Sequence, residues 1–167
     1  MKLFLMRHGH AVTARYDPER PLSAQGQREA ARAGEFLRKL DETPDVIVHS
    51  PLTRSRMTAE GVAKALGVEN ILQQRMGLEP GDDVRDFASD VLSEYGSSDK
   101  KIMIVGHEPL MSEFAMFLLT GSMAGLTLNF SRGTLLGAEG VARGRSRIWE
   151  LRFYLTAEDL TRLIWVP

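Results

Sequence analysis

Met1-Lys-Leu-Phe-Leu-Met-Arg7-His8-Gly9 is the stretch on which the rest of the chain is read. Lys2 to Met6 is an apolar run too short for a helix, and it predicts a buried strand. It closes on Arg7-His8-Gly9, where a strand would give way to a loop. Working outward, the pattern recurs. Asp45-Val-Ile-Val-His49 is a second apolar run, followed by Ser50-Pro51. Lys101 to Val105 is another, followed by Gly106-His107-Glu108-Pro109. A short strand is also expected within Ile71 to Gly77.

Helical patterns lie between these strands. After a polar loop from His10 to Pro21, Ser23 can cap a helix reaching about Leu40, with Ala30, Ala33, Phe36, Leu37 and Leu40 on its buried stripe. Ser50-Pro51 signals a helix start, and Gly67 its end near Leu66. After a loop over Leu78 to Asp82, Asp83 to Tyr95 predicts a helix with Val84, Phe87, Val91 and Leu92 facing in. Leu110 to Leu119 predicts an apolar one. Thr134 to Ala138 and Arg147 to Tyr154 then predict two strands joined by a turn over Gly140 to Arg145, and Ala157 to Leu163 a closing helix. Met103, Met111 and Met116 fall in apolar segments and are expected in the core, while Trp149 and Trp165 are expected to pack near the tail.

Strands alternating with helices predict an α/β fold, three layers deep (α/β/α), with a mostly parallel sheet and an antiparallel C-terminal edge. With 167 residues and no linker, repeat or low-complexity tract, residues 1–167 are expected to form a single domain. In such sheets ligands sit beyond the carboxyl ends of the strands. His8, His49 and His107 are all expected on that rim.

Composition excludes several function classes. Net charge is -1 and no Lys/Arg-rich block occurs, so the footprint of a nucleic-acid binder is missing. Cysteine is absent, which removes thiolate catalysis, disulfides and cysteine-based zinc sites. The N-terminal apolar run is too short for a signal peptide or a membrane span, and a cytoplasmic location is expected. The lack of a Gly-x-x-x-x-Gly-Lys-Ser/Thr loop argues against a nucleoside triphosphatase.

An anion must then be gripped by a few placed groups. Arginine offers a planar fork of donors matched to phosphate, and Gly9 lets backbone approach a ligand. Arg54 falls in the first turns of the helix after Ser50-Pro51-Leu52-Thr53, where the helix dipole favours an anion. Arg56, two positions on, should point elsewhere. His8 as a nucleophile on phosphorus, with Arg7, Arg54 and His107 as donors to the phosphoryl oxygens, makes a consistent set. That set requires no cofactor and no metal.

Arg7-His8-Gly9, Ser50-Pro-Leu-Thr-Arg54 and Gly106-His107, in this order, resemble the signature of the histidine phosphatase superfamily, the phosphoglycerate mutase-like fold. Arg20-Pro21-Leu22-Ser23-Ala24-Gln25-Gly26 resembles the family's lead into its first helix. The short length, with Leu78-Glu79-Pro80-Gly81-Asp82-Asp83 and Gly106-His107-Glu108-Pro109-Leu110, is similar to the small bacterial phosphohistidine phosphatases of the SixA type. The resemblance implies a phosphohistidine intermediate on His8. It also implies a pocket built by Arg7, Arg54 and His107, and a phosphorylated protein as substrate. Where an acidic residue is frequent in that branch, this chain has His10.

The proton donor stays open at this stage. Releasing an alcohol from phosphate needs a placed acid, whereas imidazole leaves phosphohistidine more readily. Glu79 is the leading acid candidate, followed by Asp82 and Asp83, and the alternative is that these three hydrate a loop and cap the next helix. With Glu79 as acid the substrate would be a small phosphomonoester. A phosphate-binding protein without catalysis is the remaining alternative. His10 and Arg20 are expected at the mouth of the pocket as substrate contacts, and Arg15 and Tyr16 lie in the same loop.

Overall fold

A computed structural model describes residues 1–15, 19–96, 99–122, 124–144 and 146–164. Tyr16, Arg145 and Trp165 lie outside the described residues. Six strands form one sheet: β1 (Lys2–Arg7), β2 (Val46–His49), β3 (Leu72–Gln74), β4 (Lys101–Gly106), β5 (Leu135–Arg143) and β6 (Ser146–Leu155). The spatial order is β3-β2-β4-β1-β5-β6. β3, β2, β4 and β1 pair in parallel, and β5 and β6 add the antiparallel edge. This is the expected α/β architecture.

Alternation along the strands creates two cores. Leu3 and Leu5 of β1, with Ile102 and Ile104 of β4, face one way. They meet α3 (Val84–Tyr95) through Phe87 and Val91, and α4 (Leu110–Thr120) through Phe114. Phe4, Met6, Met103 and Val105 face the other way. They meet α1 (Ala24–Lys39) through Ala33 and Leu37, α2 (Thr53–Leu66) through Val62, and α5 (Ala157–Leu163) through Leu160. The sheet therefore lies between helical layers. Phe114 is fully buried, and truncating it to alanine should cost about 3–5 kcal/mol.

Local signals account for most boundaries. Ser23 Oγ accepts the Gly26 N–H and caps α1, a contact worth about 1 kcal/mol. Gly67 ends α2 in the left-handed conformation, φ 74°, which a side chain would strain.

Three expectations need correction. The helix after Ser50-Pro51 begins at Thr53, because Ser50 and Leu52 stay extended or turned and Ser50 is engaged elsewhere. Leu40 is 46% exposed, since α1 ends at Lys39 and Leu40 is only its C-cap. The C-terminal strands run on to Arg143 and restart at Ser146, so the turn is much tighter than Gly140–Arg145, with Gly144 at φ 62°. Met103 and Met111 are buried, and Trp149 packs against the core.

Candidate active site

The carboxyl ends of β1 and β4 are adjacent, with Arg7 opposite Gly106 in register. The residues following them, His8 and His107, are thereby brought side by side, with ring centroids 4.9 Å apart. They sit in a pocket of about 280 Å³ lined by Arg7, His8, Arg20, Arg54, Pro80, His107, Glu108 and Arg132. A cleft of about 500 Å³ between α1 and α2 is larger, but it holds none of these groups.

His8 is held by its own backbone. Its Nδ1 lies 2.8 Å from Gly9 O. A carbonyl only accepts, so Nδ1 carries the proton and Nε2 bears the lone pair. Arg54 Nε–H points at that lone pair from 3.3 Å. Burial, with Arg54, Arg7 and Arg132 close by, pushes the His8 pKa down to about 4. At neutral pH the ring is uncharged and nucleophilic.

His107 is held the other way. Its Nε2 lies 2.7 Å from Ser50 Oγ, which accepts the Leu52 N–H from 3.3 Å. Among the described residues the only acceptor in reach of the buried Ser50 hydroxyl is His107 Nε2. That places the imidazole proton on Nδ1, which is buried and has no partner. Burial pushes the His107 pKa down to about 3, with His8 and the arginines adding to it. An unpaired buried donor on a ring whose centroid lies 4.9 Å from that of His8 suits an anionic oxygen.

The arginines come from four segments. Arg7 ends β1 and donates from Nη1 to Phe130 O at 2.7 Å, while its buried Nε has no partner. Arg54 opens α2. Thr58 Oγ1 donates to Arg54 O at 2.7 Å and accepts the Gly9 N–H at 3.0 Å, tying α2 to the turn after His8. Arg20 stands on the loop before α1 at φ 50°. Arg132 is carried by the loop before β5, which is stitched across the end of β1. There Gly133 N–H donates to Arg7 O and His8 O, and Arg7 N–H donates to Thr134 O, each at 3.2 Å. Among the described residues, four guanidiniums thus share the pocket with one carboxylate, Glu108, an arrangement that favours a dianion.

Several candidate residues lie elsewhere. His10 is turned onto the start of α1. Its Nδ1 is 2.8 Å from Ser23 Oγ and its N–H donates to Glu29 Oε2 at 2.7 Å, so it is absent from the pocket lining. Gly9 is not among the lining residues of the pocket. Its N–H is taken by Thr58, and a Cβ there would sit 2.9 Å from Gly26 O, so glycine is needed for packing against α1. Gly26 reciprocates, since a Cβ on it would lie 2.1 Å from His10 O. His49 is buried with Nδ1 against Ser50 O at 2.9 Å, outside the pocket. Arg56 pairs with Glu60 on the surface, as its position predicts.

Of the expected acids, none lines the pocket. Asp82 Oδ2 accepts the Glu79 N–H and Asp83 caps α3 through the Arg85 N–H, each at 2.7 Å. Glu79 lies beside the lining residue Pro80 without joining the lining itself. The carboxylate that does line it is Glu108. Arg132 and Ser50 were likewise invisible as site residues in the sequence. Only the position of Glu108, directly after His107, carried a signal. Among the described residues no cluster of histidine and acidic side chains is arranged to hold a metal ion, and no helix is long and apolar enough to cross a membrane.

Residues 3–77 match the family model of the histidine phosphatase superfamily (branch 1). An uncharacterized protein of Picosynechococcus sp. is 32% identical over 162 residues, covering 94% of this chain and 96% of that one. The phosphohistidine phosphatase SixA of Escherichia coli is 25% identical over 122 residues, covering 72% of this chain and 76% of that protein. A solved structure of the protein histidine phosphatase SixA with tungstate shares the fold, with a TM-score of 0.82 at 21% identity over 96% of this chain and 99% of that one.

Proposed function

The chain belongs to the histidine phosphatase superfamily, and from that premise we propose that it removes phosphate from phosphohistidine in a protein through a covalent intermediate on His8. One observation carries this: the unprotonated Nε2 of His8 opens into a pocket edged by four arginines. In the proposed reaction the Nε2 lone pair attacks phosphorus and the bond to the leaving group breaks. Arg7, Arg54 and the His107 Nδ1–H hold the phosphoryl oxygens as charge shifts among them. Water then attacks the phosphorus on His8, the P–N bond breaks, and phosphate leaves. No step in this scheme calls on a metal ion. One domain over residues 1–167, working in the cytoplasm, is part of the same proposal.

The protein substrate is supported by likeness to SixA, a protein histidine phosphatase, and by Arg20 and Arg132, which extend the positive lining beyond His8. A second reading, a small phosphomonoesterase, is favoured by a carboxylate inside the pocket, Glu108. A substrate panel separates them. Phosphate release from a phosphohistidine-bearing protein is expected to exceed release from p-nitrophenyl phosphate and from sugar phosphates in kcat/KM. A clear preference for a sugar phosphate contradicts the protein substrate.

A further inference from the structure

Glu108 stands at the pocket although nothing in the phosphate-gripping scheme uses it. We infer that Glu108 is the group that protonates the leaving atom in the first half-reaction and deprotonates water in the second. This rests on the phosphatase reading above and extends it, because a placed acid lets the same pocket cleave alkyl phosphomonoesters.

The placement is specific. Glu108 follows His107 directly, beyond the end of β4, and lines the same pocket as His8. Its carboxylate is steered by Ser112 on the first turns of α4. The Ser112 N–H donates to Glu108 Oε1 at 3.1 Å, and Ser112 Oγ lies 2.8 Å from Oε2. The same hydroxyl is 2.9 Å from Pro109 O. With its proton turned to Glu108 it stabilises the carboxylate. With its proton turned to Pro109 O it can accept from a protonated Glu108. The site therefore accommodates both forms that acid and base work requires.

The surroundings favour the acid form when substrate is present. Burial raises the Glu108 pKa above the ordinary carboxylate value, and Glu113 adds to this, while Ser112 and Arg7 oppose it. Arg132 also lines the pocket. An arriving phosphoryl dianion is a like charge to Glu108 and raises its pKa further. Binding thus loads the proton at the step that needs it. Among the described residues no carboxylate besides Glu108 lines the pocket.

As His8 Nε2 bonds to phosphorus, the P–O bond to the leaving group breaks, and its electron pair stays on that oxygen. Glu108 gives the oxygen its proton, so the alcohol leaves neutral and Glu108 is left as carboxylate. In the second step Glu108 takes a proton from the attacking water, the P–N electron pair returns to His8, and the acid form is restored.

Glu108→Gln tests this in the full chain, and the amide still accepts the Ser112 N–H, so α4 keeps its start. On an alkyl phosphate, whose alkoxide cannot leave unaided, kcat/KM should fall about 10²–10⁴-fold, as for lost general acid catalysis. On p-nitrophenyl phosphate, which releases a stable anion, kcat/KM should fall less than about tenfold by the same reasoning. Turnover on that ester should instead show a burst followed by slow release, because the phosphoenzyme waits for an unactivated water. The high-pH fall in kcat/KM on the alkyl ester should vanish in the variant. Equal losses on both esters, or no loss on either, would overturn the role of Glu108. If the wild-type chain cleaves none of the substrates and traps no phosphate on His8, the phosphatase reading itself is overturned, and Glu108 with it.

Discussion

His8 and His107 end adjacent parallel strands, yet the protein holds them in opposite ways. His8 spends Nδ1 on the Gly9 carbonyl and keeps the lone pair on Nε2, at which only Arg54 Nε–H points among the described residues. His107 spends Nε2 on the Ser50 hydroxyl and leaves Nδ1 bare. The first partner is an acceptor, so the other nitrogen carries a lone pair. The second partner is a donor, so the bare nitrogen is an N–H. One rim thus presents a lone pair and an N–H from the same residue type, on rings 4.9 Å apart between centroids. The tautomer is set by what each ring leans on.

The largest expected effect breaks this pair at its nucleophile. His8→Ala should abolish both turnover and covalent labelling, whereas His107→Ala should keep labelling and slow its formation about 10²–10³-fold, the loss typical of one donor to developing charge. If His107→Ala also removes the label entirely, the division of roles is wrong. Next comes the support of the donor. Ser50→Ala leaves His107 Nε2 without its partner and frees the ring to take the other tautomer. About tenfold is expected in kcat/KM, near 1.4 kcal/mol and within the range for a buried polar group left unpaired. Ser50→Thr, which keeps the hydroxyl, should recover most of it, and equal loss in both variants would contradict the tautomer assignment.

The protonation states can be read directly. Because burial depresses both histidines, their ring resonances should stay unshifted as pH falls through the ordinary histidine range. They should move only near pH 4 for His8 and lower for His107. Midpoints near 6.5, measured by NMR in the free protein, would contradict the depression of both rings by burial. The smallest effect belongs to the pocket rim. Arg132 is exposed, so Arg132→Ala should raise KM about threefold with kcat nearly unchanged, and high salt should erase the difference.

The same comparison explains what the sequence could and could not say. Strand ends and their histidines were legible, because short apolar runs closed by polar residues are a strong signal. Arg54 was legible because it sits at a fixed distance inside a helix start. Other assignments depended on contacts between distant segments. Gly9 reads as a ligand-approach glycine until Gly26 is seen against it. Ser50 reads as part of a helix start, yet it serves a histidine 57 residues away. Arg132 lies in a loop without pattern, which reaches the pocket because Gly133, at φ 75°, bonds back to the end of β1. Glu79 and Glu108 both neighbour a proline in a loop, and only the fold reveals which of the two lines the pocket.

The most direct test of the central claim is brief reaction of the intact chain with a phosphohistidine-bearing protein carrying labelled phosphate, followed by quenching in base and peptide mapping. The expected result is an acid-labile, base-stable phosphate on the peptide containing His8, absent in His8→Ala. Label on another residue, or turnover that persists in His8→Ala, would contradict it.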